Sequence, residues 1–129
     1  MLFHSFKTQE ERRAFGGSAF IELQHCRVKP ETPLSVILST ADFWKTDSLY
    51  VYLDDSEIFY EAYASVFGNG IYQNEKEGPL DVCGLNYYPA DRKKAMIEAL
   101  QEKKPIDCER LTEWLTSGES SFGFYLLGL

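Results

Sequence analysis

LYVYLDDSEIFYEAYASVFGNG, residues 49–70, runs from strand to helix to turn without a break, and its reading decides the fold. Leu49, Val51 and Leu53 alternate with Tyr50 and Tyr52, which predicts a short strand with an aliphatic side and a tyrosine side. Asp54 then stands at the cap of a helix with Glu57 three residues on, and Gly68 stands where a helix stops. At 3.6 residues per turn, Ile58, Phe59, Ala62, Tyr63, Val66 and Phe67 form one broad apolar face. Glu57, Tyr60, Glu61 and Ala64 fall on the opposite side. A strand feeding straight into an amphipathic helix predicts a helix laid against a sheet.

The flanking segments extend that pattern. Residues 6–15 read as a charged short helix ended by Gly16-Gly17, and residues 19–28 as a strand with Ile21, Leu23 and His25 on one side and Phe20, Glu22, Gln24, Cys26 and Val28 on the other. After Pro30, Leu34, Ile37, Leu38 and Ala41 match helical spacing, with Thr32 as cap and Pro33 in the first helical position, although the β-branched pair Val36-Ile37 favours a strand. Gly68-Asn69-Gly70 reads as a turn and residues 73–79 as a polar loop. Residues 81–88 alternate as a strand. Pro89 opens a helix with Met96, Ile97 and Leu100 inward, ended by Pro105. A last helix takes Asp107 as cap, packs Ile106 on Leu111 as a hydrophobic staple and stops at Gly118, before a strand over 120–129. Helices and strands mix without a βαβ repeat. The expected fold is therefore α+β: one domain over residues 1–129, with helices packed on a small, mostly antiparallel sheet.

Charge is distributed unevenly along this order. Residues 42–81 hold nine acids and two bases, a balance of −7, which is the net charge of the whole 129-residue chain. Aromatic residues are interleaved with those acids. Acids mixed with exposed tyrosine suit a cationic protein partner, because tyrosine gives contact area at low entropic cost and stacks on Arg or Lys. The candidate partner-binding residues are Asp54, Asp55, Glu57, Tyr60 and Glu61, followed by Asp47, Tyr50, Tyr52, Glu75 and Glu77. The basic clusters Arg12-Arg13, Arg92-Lys93-Lys94 and Lys103-Lys104 are short and lie near acids, which speaks against a phosphate-tracking surface and so against nucleic acid as partner.

Other chemistry finds little support in the residues. Cys26, Cys83 and Cys108 are odd in number and widely spaced, as in a reducing compartment rather than a disulfide framework. On a strand, Cys26 and its neighbour His25 point to opposite faces, so they cannot form a nucleophile and base. A calcium loop starting at Asp54 would need glycine where Phe59 stands. Phosphate-binding glycine motifs are absent, and Glu57 and Glu61 lack the apolar surroundings that would raise a carboxylate pKa. No catalytic residue, metal site or cofactor is expected. The opening residues lack the apolar core of a signal peptide, and the apolar run 122–129 is too short to span a bilayer. The expectation is a cytoplasmic protein with no membrane partner; its oligomeric state stays open.

In size and in the acidic, aromatic stretch 42–81, the chain resembles the small immunity proteins that bacteria pair with polymorphic or contact-dependent toxins. The resemblance is one of class and carries over no residue roles. It implies an inhibitor that neutralises a basic, nuclease-like toxin by covering it with an acidic, tyrosine-containing surface. Two alternatives remain: a small cytosolic adaptor or regulatory protein that binds a basic host protein, and an enzyme with an unrecognised Cys or carboxylate site.

Overall fold

A computed structural model describes residues 1–16, 19–42, 44–117 and 122–128 of the protein. Its strands are β1 (Phe3–His4), β2 (Phe20–His25), β3 (Leu49–Tyr52), β4 (Gly70–Tyr72), β5 (Glu77–Gly78), β6 (Leu85–Pro89) and β7 (Gly123–Leu127). Its α-helices are α1 (Gln9–Gly16), α2 (Leu34–Thr40), α3 (Ser56–Phe67), α4 (Lys93–Lys103) and α5 (Cys108–Ser117). The strands form one sheet in the order β1-β3-β2-β7-β6-β4-β5, with every neighbouring pair antiparallel. The fold is α+β, as expected from the sequence, but the sheet is larger. Residues 68–79 are not only turn and loop: β4 and β5 pair there as a hairpin, with Ile71 opposite Glu77.

Strand alternation assigns side chains to two faces. One face presents Phe3, Leu49, Val51, Ile21, Leu23, Leu126, Phe124 and Tyr88 to Phe59, Tyr63, Val66 and Phe67 of α3, Met96 and Leu100 of α4, and Leu111, Trp114 and Leu115 of α5. The other face carries two smaller clusters. Ile37 and Leu38 of α2 pack on Cys26, Tyr87, Tyr125 and Leu127, while Phe6, Phe20 and Tyr50 pack together beneath α1. All six residues of β2 are therefore buried, which explains why its polar members Glu22 and Gln24 interrupt neither face. A buried carboxylate must be satisfied. Glu22 accepts from the backbone N–H of Trp44 at 2.7 Å, the N–H of Lys45 at 3.0 Å, the Ser48 hydroxyl at 2.7 Å and the Gln24 amide at 3.0 Å, and so fixes the loop that leads into β3.

Several local expectations shift by a residue or more. Helix α2 forms in spite of Val36-Ile37, with Pro33 at its cap and no side-chain cap bond from Thr32. Strand β6 begins at Leu85 rather than at 81. The buried Asn86 side chain accepts from the Asp81 N–H at 2.9 Å and donates to its carbonyl at 2.7 Å, folding 81–84 into a turn. Helix α4 follows a short 3-10 turn, Ala90–Arg92, so Pro89 closes β6 instead of opening a helix. Opposite Pro89 lies Gly123, whose φ of +117° and close approach to the Tyr88 carbonyl admit no Cβ. Asp107 does not cap α5. Its carboxylate accepts from the N–H groups of Leu2 at 3.1 Å and Phe3 at 2.9 Å, tying β1 to the α4–α5 connection, and Ile106 is exposed rather than stapled on Leu111. The expected stops at Gly17 and Gly118, and residues 120, 121 and 129 of the expected last strand, lie outside the described residues.

Candidate functional site

Helix α3 carries the acidic surface. A 3-10 turn, Leu53–Asp55, leads from β3 into it, so the helix proper begins at Ser56; the expected side-chain cap from Asp54 is absent, because the turn places Asp55 at the cap position, also without a side-chain bond. Asp54 and Glu57 still lie where the partial positive charge of a helix start favours carboxylates. At the far end Gly68, with φ of +63°, donates to the Ala64 carbonyl at 3.2 Å and ends the helix.

Phe59, Tyr63, Val66 and Phe67 point into the core, leaving Glu57 and Glu61 on the outermost line of the helix. At 100° per residue, Ile58 flanks that acidic line on one side and Tyr60 on the other. Both remain open to solvent, Ile58 at 52% and Tyr60 at 43%, and Leu53 in the preceding turn is 38% exposed. Helical spacing predicts Ile58 on the core face, and strand alternation predicts Leu53 on the aliphatic side of the strand. The structure corrects both: the sheet lies under a narrower arc of the helix than the six apolar residues span, and β3 ends one residue before Leu53. The width of the apolar arc was the available signal, since six of twelve positions is more than one sheet contact covers. Among the described residues neither Glu57 nor Glu61 has an ion-pair partner.

The remaining candidate residues lie elsewhere. Tyr50 is fully buried under α1; its hydroxyl donates to the Lys45 carbonyl at 2.8 Å, and burial drives its pKa upward. It offers no surface to a partner. The reason is that the tyrosine side of β3 faces α1, whereas α3 covers the aliphatic side, so the two lie on opposite faces of the sheet. Tyr52 is half-buried on the α1 side against Phe15 and Phe20. Asp47, at the other end of β3 from α3, pairs with Arg27 at 2.5 Å. Glu75 sits in the β4–β5 turn and Glu77 on β5, at the sheet edge furthest from β1, where Glu77 pairs with Arg92. Asp54 and Asp55 in the 3-10 turn thus adjoin Glu57, Tyr60 and Glu61 on α3, and Asp47, Tyr50, Tyr52, Glu75 and Glu77 do not join them. Asp55 is half-buried and close enough to His4 for its charge to act on that imidazole.

The nucleophile candidates are separated. The Cys26 thiol lies between the Tyr125 hydroxyl at 3.3 Å and the Val28 carbonyl at 3.8 Å, while His25 stacks on Trp114 at 3.9 Å on the other face. Cys83 is exposed and Cys108 half-buried; among the described residues no thiol is hydrogen-bonded to an imidazole. A cleft of about 520 Å³ between α4 and α5 is lined by Leu100, Pro105, Cys108 and Glu109 and by neither histidine. Among the described residues no helix is long and apolar enough to cross a membrane, and no three His, Cys, Asp or Glu side chains group as metal ligands would. No protein-family model, curated protein or solved structure matches the chain.

Proposed function

We propose that the protein is a stoichiometric inhibitor that binds a basic protein through the outer face of α3, as an immunity protein binds its cognate toxin. One observation carries this reading: within residues 53–61 three large apolar side chains, Leu53, Ile58 and Tyr60, stay exposed beside Asp54, Glu57 and Glu61. Charge alone on a helix face is adequately explained by solvation. Apolar anchors flanking the charge are not, because three of the seven large apolar side chains exposed among the described residues fall within this one nine-residue stretch. The pairing divides the work of binding. Acids steer a cationic surface and raise the association rate, and desolvated anchors slow dissociation.

The test starts from a pull-down with tagged protein in lysate of the source cells, eluted at low and high salt, with captured basic proteins purified and re-bound. Against such a protein, Glu57→Lys with Glu61→Lys should slow association several-fold at low salt while leaving the thermal midpoint in place. An unchanged association rate would remove α3 as the interface. Inhibition of a captured nuclease at one-to-one stoichiometry would support the immunity role, and capture without loss of the partner's activity would favour an adaptor.

A further inference from the structure

The opposite face of the sheet holds an unusual contact. Helix α1 has eight residues, too few to persist alone in water, and among its described side chains only Arg12 is buried. A surface helix ordinarily docks through an apolar stripe. Here the docking group is a guanidinium. Its central carbon lies 5.8 Å from the Phe20 ring centroid and 5.7 Å from that of Tyr50, and those two rings meet edge to face at 5.9 Å and 77°. Phe6 closes against both at 5.5 Å, and Trp44 and Tyr52 pack around them.

Arg12 is 9% exposed, its Nε has no hydrogen-bond partner, and no carboxylate pairs with it among the described residues. The aromatic faces are therefore what hold the cation. Ring quadrupoles attract cations, and a guanidinium, weakly hydrated and planar, is the cation that gives up water most readily for such a site. The rest of the cover is Phe15, which touches His4 at 4.6 Å and Phe6 at 5.6 Å yet remains 54% exposed. One unpaired cation and one half-exposed ring hold α1 in place.

We propose that the Phe20–Tyr50 surface is a guanidinium-binding site, occupied here by the chain's own Arg12, and that α1 is a cover displaced when an arginine side chain of a partner protein takes Arg12's place. The occupant follows from the contact itself, since Arg12 already supplies the chemistry that fits two aromatic rings at under 6 Å. This site and α3 lie on opposite faces of the sheet, so each stands or falls separately.

Two measurements test the proposal. In Arg12→Ala the thermal midpoint should drop, and ethylguanidinium should raise it again by several degrees, saturably and in the millimolar range, with no comparable effect of the neutral analogue ethylurea. Equal responses to the two compounds, or none, would overturn the site. Should that variant fail to fold, hydrogen exchange on the unaltered protein decides. N-acetylarginine amide should speed exchange of the α1 amides several-fold while those of β2 and β3 hold, and N-acetylcitrulline amide should not. Exchange of α1 only together with the sheet, or indifference to the arginine compound, would overturn the cover.

Discussion

Tyr63 donates its hydroxyl to the Ile106 carbonyl at 2.6 Å, whereas the Tyr88 hydroxyl is buried near Phe67, Phe124 and Gly70 with no partner among the described residues. Burial raises the pKa of both phenols, so both stay neutral, but only one is paid back in hydrogen bonding. Tyr63→Phe should cost about 1 kcal/mol, and Tyr88→Phe should leave stability unchanged or raise it, since it removes an unsatisfied group. Urea unfolding of the two variants checks this, and equal losses would contradict the assignment. His25 carries a pH dependence. Burial against Trp114 lowers its pKa from 6.5 to about 4, with the Asp47 charge opposing the shift and Lys93 and Arg27 adding to it. Between those values the unfolded chain binds more protons than the folded one, so stability is highest above about 6.5 and declines as pH falls toward 4. The loss from this group is on the order of 3 kcal/mol and stops below its folded pKa. Urea midpoints from pH 7 to pH 4 should show that slope and His25→Phe should flatten it; an unchanged slope in the variant would assign the acid sensitivity to other groups.

At the scale of elements, α3 is where the proposed interface can be dissected. Ile58→Ala and Tyr60→Ala remove exposed anchors, so each should leave folding stability within about 0.5 kcal/mol while speeding dissociation from a captured partner by tenfold or more, on the order of 1.4 kcal/mol. Surface plasmon resonance separates that from the association effect of the acids, and a change in association alone would mean the anchors stay outside the contact. Much of α3 was legible beforehand: Phe59, Tyr63, Val66 and Phe67 inward, Glu57, Tyr60 and Glu61 outward, Gly68 at the stop. Ile58 was not, because helical spacing gives a direction and not the width of the surface underneath. Asp107 misled for a related reason. A carboxylate before a helix reads as a cap, but backbone N–H groups from Leu2 and Phe3, more than a hundred residues away, reach it instead. Local patterns record what a side chain can do nearby and say nothing of distant donors. Tyr50 illustrates the same limit, since alternation placed it on the right side of β3 without revealing that α1 covers that side.

Over the whole molecule, burial of both sheet faces divides the acids of residues 42–81 among separate surfaces. Asp47 is paired with Arg27 and Glu77 with Arg92, while Asp54, Glu57 and Glu61 stand together about the start of α3 with no ion-pair partner among the described residues, apart from the likewise unpaired Asp42, Glu75 and Asp81. Strand order has a further effect. β1, β3 and β2 form one half of the sheet, β6, β4 and β5 the other, and β7 alone hydrogen-bonds to both halves, through Glu22 to His25 on one side and Leu85 to Pro89 on the other. Removing residues 122–128 should therefore abolish cooperative unfolding and near-ultraviolet circular dichroism together; a truncated chain that kept both would mean the halves associate through their helices alone. The same arrangement sets a schedule for synthesis. The two halves and the helices that cover them leave the ribosome before β7, so β2 and β6 each keep an open strand edge until β7 follows. For that interval a nascent chain is exposed to pairing with its neighbours, and its yield should depend on how quickly β7 follows.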